Sequence, residues 1–263
     1  MGTVTGLIPK DVLHEFLRRQ MAGDKLLLVA VSGAHAYGYP NSLSPFELKG
    51  LHVEPTENLV GLRSPPKSHN FVGEIDGLRV DYSSLELGEA LMRLLRGDGS
   101  ILERVLAPRQ LLRSEDLRRL QKIARGVICR RFYNHYKNFA RGVVRELDNG
   151  EERTVRHVLA IYRTALTGIH LFRSGKVVVS LLELAKQYRM ARIKELVKSY
   201  QQDADAMLPA DSPWLNRIVK LHALLEDAVE RSQLPIDPDN PRAAEDYLLD
   251  MRRRFFDAPT VKQ

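Results

Sequence analysis

Strand-like patterns are confined to the first third of this sequence, and helix-like patterns dominate the rest. Four short runs have strand character: KLLLVAVS, ELKGLHVE, NFVGEI and LRVDYSS. The last two flank Asp76-Gly77, a strong signal for a tight hairpin turn. After Pro108, stretches with helical periodicity follow one another. The sequence therefore predicts an α+β protein, with an N-terminal mixed sheet and an α-helical C-terminal part.

This change of pattern also predicts two domains. We place an α/β domain at residues 1–110 and a helical domain at residues 111–263. In the first, helices are predicted at 11–22, 85–95 and 100–106; in the second, near 114–128, 130–147, 152–173, 180–188, 190–206, 213–231 and 241–255. A chain of 263 residues, 44% of them hydrophobic, is long enough to bury a sizeable core.

Several features indicate where such a chain works. The longest continuous apolar run, Leu26 to Val31, is too short to span a membrane. Charged residues recur near the N-terminus, so no signal peptide is predicted. The single Cys129 excludes an internal disulfide and suits a reducing compartment. We therefore expect a soluble, cytoplasmic protein with no membrane partner.

The net charge of +7 is concentrated in one segment. Residues 113–145 hold ten basic and two acidic side chains. Several of them fall on one stripe of a predicted helix: Arg130, Lys137, Arg141 and Arg145, together with Asn134. Such a stripe predicts contacts with the phosphates of RNA or another polynucleotide. The alternative is a solvated helix face whose charges are balanced by nearby acidic residues.

The common metal and nucleophile signatures are missing. The eight histidines are scattered, without an HExxH motif or a Cys–His spacing, which argues against a zinc site. The sequence also lacks GxxxxGK[ST] and GxSxG.

One stretch, VSGAHAYG at residues 31–38, has the order of a phosphate-binding turn. A strand runs into Ser32-Gly33 and then into a short helix, and the glycine allows a phosphate to approach the backbone closely. The next strand carries Glu47, and a hairpin strand carries Asp81. Carboxylates on neighbouring strands beside such a turn are what metal-dependent nucleotidyl transfer requires.

The motifs continue in a fixed order along nearly the whole chain: SGAHAYG, the P-x-S-x-S of residues 40–44, a strand ending in Lys49-Gly50, DYSSLELGEALMRLLRGDGSILERVLAP, RRFYNHYKNFAR and IYRTALTGIHLFRSGKV. In this order they resemble the RNA-repair-associated nucleotidyltransferases of the DNA polymerase β superfamily. The resemblance implies a polymerase-β-type mixed sheet followed by a helical domain. In that helical domain, the resemblance points to a helix that faces the cleft and carries His157, Tyr162, Arg163 and His170. A structural role is the alternative for these four residues.

The resemblance also implies an activity, the transfer of a nucleoside monophosphate from a nucleoside triphosphate to RNA or another hydroxyl acceptor. Mg²⁺ or Mn²⁺ would be the cofactor. Glu47 and Asp81 would be catalytic and would hold the metal. The expected nucleotide-binding residues are Ser32, Gly33, Ala34, His35, Ser44 and Lys49. A purely structural role, packing beneath the turn, is the alternative for His35.

The sequence departs from the family pattern at the metal-binding strand. Where the family reads S-D-x-D-x-[RK]-G, this chain has Pro45 and Glu47 at the two aspartate positions. Loss of one ligand is expected to cost about a thousandfold in rate, unless another carboxylate substitutes for it. The candidates are Glu54, Glu74 and Asp76. We therefore expect catalysis to be weakened or lost. The alternative to a weak transferase is an inactive scaffold (a pseudoenzyme) that binds nucleotide or RNA. A less favoured alternative is transfer of the nucleotide onto protein.

Overall fold

The computed structural model describes residues 25–62, 64–75, 77–112, 114–138 and 153–256. Its strands are β1 Lys25–Ser32, β2 Phe46–Val53, β3 Ser68–Ile75 and β4 Leu78–Glu86. Its helices are α1 Gly33–Tyr37, α2 Thr56–Val60, α3 Leu87–Leu95, α4 Gly99–Leu106, α5 Glu115–Gly126, α6 Val155–Ser174, α7 Leu181–Gln187, α8 Ile193–Gln202, α9 Pro213–Glu230 and α10 Arg242–Arg254. The helix predicted at 11–22 lies outside the described residues.

The predicted α+β architecture, with a mixed sheet followed by helices, is confirmed. The strands lie in the order β1-β2-β4-β3. β1 is antiparallel to β2, β3 is antiparallel to β4, and β2 and β4 run parallel at the centre. The predicted hairpin joins β3 to β4 through Gly77, whose φ of +77° lies in the left-handed region that glycine adopts without strain.

The apolar residues Leu48 and Val53 of β2 do not follow a single alternating pattern. The reason is that apolar residues cover both faces of the sheet. Leu48 belongs to a small cluster with Phe46 and Tyr82 on one face, whereas Val53 belongs to the large core on the other face. Alternate side chains of a strand point to opposite faces, so the two residues are out of step because each serves a different core.

The large core joins the sheet to the helical part, because it includes residues from Leu27 in β1 to Phe255 beyond α10. The chain near residue 110 is also tied to the sheet: the Val31 amide donates to the Arg109 carbonyl at 3.0 Å, and the Leu111 amide to the Val29 carbonyl at 2.8 Å. The division into domains at residue 110 stays a prediction.

The structure corrects some helix boundaries. The helix predicted to start at residue 85 starts at Leu87, because β4 continues to Glu86, whose carboxylate then accepts hydrogen bonds from the Gly88 and Glu89 amides. The helix predicted at 130–147 is preceded by a 3₁₀ turn, Arg130–Phe132, and residues 133–138 are helical in its described part. The short α2 was not expected from the sequence.

Two of the helices, α6 and α10, organise the packing. The long α6 is buried along most of its length and packs against α9. α10 returns to the sheet, where Arg252 Nη2 lies 2.6 Å from Glu86 Oε1. Thr56 donates its hydroxyl to the Arg252 carbonyl at 2.6 Å and its amide to the Phe255 carbonyl at 2.9 Å. No helix of the described residues combines the length and apolar composition of a membrane span.

Gly168 in α6 tests this packing. A Cβ there would lie 2.8 Å from the Cγ of Tyr136, which is completely buried, so Gly168→Ala should lower the free energy of unfolding by about 1–3 kcal/mol. Gly126→Ala is the matched control: a Cβ at Gly126 would meet no atom of the described part of the chain within 4 Å, so stability should be unchanged or higher by about 0.5 kcal/mol. Urea denaturation measures both, and equal effects would contradict the close α6 packing.

Candidate active site

Glu47 and Asp81 lie side by side at the centre of the sheet. In the parallel pairing of β2 with β4, Glu47 is in register with Asp81 and Lys49 with Ser83. Glu47, Lys49 and Asp81 alternate with buried apolar residues along their strands, so they share the face of the sheet that is turned towards the helices. The two carboxylates predicted from the sequence are therefore neighbours in space.

The turn after β1 fits against Glu47. Gly33 has a φ of +61°, and a Cβ at this position would overlap Oε1 of Glu47. Ser32, at the end of β1, is in register with Glu47 in the antiparallel pairing. Gly33 is thus required twice, once for its backbone conformation and once for the space that the Glu47 carboxylate occupies.

The charged neighbours of Glu47 shift its pKa in opposite directions. Burial raises the pKa of Glu47, Lys49 lowers it and the neighbouring Asp81 raises it further. Lys49 Nζ lies 3.6 Å from Asp81 Oδ1, and this aspartate side chain is 38% exposed. The ion pair of Lys49 with Asp81 offsets part of the repulsion between the two carboxylates, and a bound cation would compete with it.

Two cavities adjoin at Glu47 and Tyr37. The first, of 280 Å³, lies between the sheet and the helices and includes Ser32, Lys49 and Arg163 in its lining. The second, of 390 Å³, is lined by the Gly33 turn together with Ser44 and Pro45. Asp81 lines neither of these two cavities and instead faces a more open part of the sheet.

Pro45 stands at the first of the two aspartate positions in the family pattern that the sequence resembles. It lines the second cavity beside Glu47, but its side chain carries no ligand atom. Glu54 does not replace it, because it lies beyond the opposite end of β2. Glu74 lies on β3, opposite Arg79, and Asp76 is outside the described residues. The donor set of Glu47 and Asp81 fits one divalent ion that takes its remaining ligands from substrate phosphates and water.

A buried ion pair forms the far wall of the first cavity. Arg163 Nη1 lies 2.7 Å from Glu103 Oε2, and both side chains are about nine-tenths buried. The Arg163 guanidinium also lies over the Tyr37 ring, 4.4 Å from its centroid. The resemblance pointed to Arg163, but Glu103 and the neighbouring Arg104 were missed. In the sequence, these two residues stand out only as the polar positions of the amphipathic helix α4, which does not indicate a role in a site.

The other predicted nucleotide-binding residues surround the Gly33 turn. Ser32 Oγ is 3.5 Å from the Tyr37 hydroxyl, and Ala34 lines the second cavity. The His35 ring stacks on Phe46 at 4.2 Å, which supports the packing alternative for this histidine. Ser44 binds within its own turn, since its hydroxyl accepts from the Asn41 amide at 3.0 Å and donates to Asn41 Oδ1 at 2.8 Å.

Only part of the predicted nucleic-acid stripe lies in the described residues. Arg130 has a structural role: its guanidinium donates to the Leu234 carbonyl at 3.0 Å and to the Ser232 carbonyl at 2.6 Å. Lys137 lies over the Tyr133 ring, 4.8 Å from its centroid. Arg141 and Arg145 are outside the described residues, so binding of a polynucleotide by this stripe stays a prediction.

The contact between Gly33 and Glu47 predicts a coupled pair. Gly33→Ala should lose more stability than Gly77→Ala, because the left-handed φ costs about 1–2 kcal/mol in both variants, and only Gly33→Ala must also displace a carboxylate. In a double-mutant cycle with Glu47→Ala, the extra loss should disappear, giving a coupling energy of about 0.5–3 kcal/mol. Urea denaturation gives all four values, and additive effects would contradict the contact.

The sequence of this chain has counterparts among known proteins. A model of the RNA repair pathway DNA polymerase beta family matches residues 9–250. An uncharacterized protein of Methanocaldococcus jannaschii is 27% identical over 151 residues, which are 57% of this chain and 61% of that protein, so the match spans less than two thirds of the relative. A solved nucleotidyltransferase-like protein of Exiguobacterium sibiricum is 13% identical, with 93% of this chain and 80% of that chain covered and a TM-score of 0.31, too low to support a conclusion. Because the family model matches nearly the whole sequence, this chain belongs to the RNA repair pathway DNA polymerase beta family.

Proposed function

We propose that this protein transfers a nucleoside monophosphate from a nucleoside triphosphate to a hydroxyl group of RNA, at a rate reduced by the loss of one metal ligand. The observation that carries the proposal is the register of Glu47 with Asp81, on adjacent parallel strands beside the Gly33 turn. Family membership supports the reaction type, and the name of the family supports RNA as the acceptor.

In this proposal the triphosphate binds in the cavities that adjoin at Glu47 and Tyr37. Lys49 brings positive charge to the first cavity, where the Arg163 guanidinium is already paired with Glu103, and the glycine turn gives phosphate access to the backbone in the second. Glu47 and Asp81 would hold one Mg²⁺ or Mn²⁺, which when bound polarises the reacting phosphate. Lys49 would leave its ion pair with Asp81 and contact a phosphate oxygen instead.

The acceptor would approach from the open side of the sheet. Val72 on β3 is paired with Asp81 and is 82% exposed, so a large molecule can reach the Asp81 carboxylate. As the only one of the two carboxylates outside both cavities, Asp81 is suited to orient the acceptor hydroxyl. Glu47, which is more buried, is suited to the nucleotide side.

A second candidate function is nucleotide or RNA binding without transfer. Pro45 at the site favours it, since Mg²⁺ is usually held by several oxygen ligands and this position provides none. The concentration of positive charge in residues 113–145 also favours a polyanionic partner. The binding function requires the positive charges and tolerates loss of Asp81, whereas the transferase requires Asp81.

Asp81→Asn tests the transferase. Wild-type protein with total cell RNA, a divalent ion and each nucleoside triphosphate labelled at the α-phosphate should label RNA. Asp81→Asn should lower the rate about a thousandfold, because it removes a charged metal ligand while keeping the shape of the side chain. Asp211→Asn, the same change at an exposed position just before α9, should leave the rate unchanged.

The outcomes of this assay separate the candidate functions. Equal labelling by Asp81→Asn and wild type would contradict the proposed transferase. Absence of labelling by folded wild-type protein, with RNA retention on a filter that Asp81→Asn preserves, would establish the binding function instead. Label on protein and not on RNA would identify a protein acceptor.

Pro45→Asp tests the reason given for the low rate. An aspartate at this position places a third carboxylate in the second cavity beside Glu47, so the transfer rate should rise by about tenfold or more, equivalent to about 1.4 kcal/mol of barrier. Pro45→Asn is the control for loss of the proline ring without a new charge. If both variants transfer at the same rate, the missing carboxylate is not what limits this site.

A further inference from the structure

A second group of potential metal ligands lies on the other face of the sheet. His52, Glu54 and His69 each offer a ligand atom, and these atoms all lie within 4.8 Å of one another. His52 is on β2 in the same alternation as Leu48, and Leu48 packs in the small cluster that faces away from Glu47 and the large core. The group is therefore separate from the candidate active site.

His52 carries the argument for a ligand. Its side chain is completely buried, and its Nε2 has no hydrogen-bond partner among the residues that the structure describes. Its Nδ1 is hydrogen-bonded to the hydroxyl of Ser84, which is also completely buried. With the ring proton on Nδ1 donated to Ser84, Nε2 presents a lone pair, and this is how outer residues orient imidazoles that bind metals.

The other two residues complete a donor set. Glu54 is 5% exposed, and one carboxylate oxygen, Oε1, accepts a hydrogen bond of 2.6 Å from the Asn58 side chain. The His69 ring lies 4.7 Å from the His52 ring, centroid to centroid. The nearby Arg252 does not leave an excess positive charge, because Glu86 lies 2.6 Å from it.

We propose that His52, Glu54 and His69 bind one Zn²⁺ ion. Two imidazoles and a carboxylate are a ligand set that zinc accepts, and bonds of about 2.0–2.1 Å require the three ligand atoms to draw together to about 3.3 Å. The proposal requires side-chain rotation to make this adjustment. Zinc would then connect β2 to the edge strand β3 across β4, where the small Ser84 lies between the two histidines.

The test uses untagged protein freed of metal with a chelator. Titrated with Zn²⁺ against a chromophoric chelator, it should bind one equivalent, and Co²⁺ in place of zinc should give a visible absorption band. Glu54→Gln and His69→Gln should abolish both signals. Ser84→Ala should weaken zinc binding by about 10–100-fold, because it removes only the residue that orients His52.

Two controls locate the ion. Asp81→Asn should bind zinc like the wild type, which separates this site from the candidate active site. His222→Gln, on α9, should also bind normally and controls for loss of one histidine. Circular dichroism confirms that each variant is folded, and if His69→Gln fails this check, Glu54→Gln decides.

The proposal is overturned if folded wild-type protein binds no zinc. It is equally overturned if Glu54→Gln binds zinc with the wild-type affinity. Neither result affects the proposed nucleotidyl transfer, which is measured separately through Asp81.

Discussion

The parallel pairing of β2 with β4 is the constraint on which the candidate site depends. The hairpin reverses the chain between β3 and β4, and this allows β4 to run beside β2 in the same direction with Glu47 opposite Asp81. Successive side chains of a strand point to opposite faces, so a slip of one residue would move Asp81 into the small apolar cluster. Buried residues on both faces, Leu48 and Val53 among them, fix the register, and the chemistry of the site follows from this packing.

Local signals allowed much of the fold to be predicted. The apolar run into Gly33, the Asp76-Gly77 hairpin and the helical periodicity after Pro108 each depend on residues close together in sequence, and the structure agrees with them. The two carboxylates could be placed because the motif order resembles a known family. The Arg163–Glu103 pair joins residues that are far apart in the chain, and the His52, Glu54 and His69 group joins strands that are not adjacent in the sheet; such contacts leave no periodic signal. Arg130 was predicted from its helical stripe to contact nucleic acid. Its position in the stripe could not show that its guanidinium binds backbone carbonyls about a hundred residues away.

Glu47 combines a close fit to its surroundings with an unfavourable electrostatic position. Its carboxylate fills the space left by Gly33, and its burial and its neighbour Asp81 both favour the protonated form. Lys49 reduces this strain by pairing with Asp81. In the proposed function, a bound cation would do the same more strongly.

The return of α10 to the sheet has a consequence for the order of folding. Thr56, just after β2, bonds to the backbone of Arg252 and Phe255, almost two hundred residues later in the chain. Glu86, at the end of β4, forms its ion pair with the same Arg252, and this pair cannot form until that residue is synthesised. During synthesis, β1 to β4 can pair early, but the end of the sheet that carries His52 and Glu86 lacks its cover until α10 leaves the ribosome. Contacts of such long sequence separation slow folding, and for that interval the nascent sheet presents this end to other chains and to chaperones.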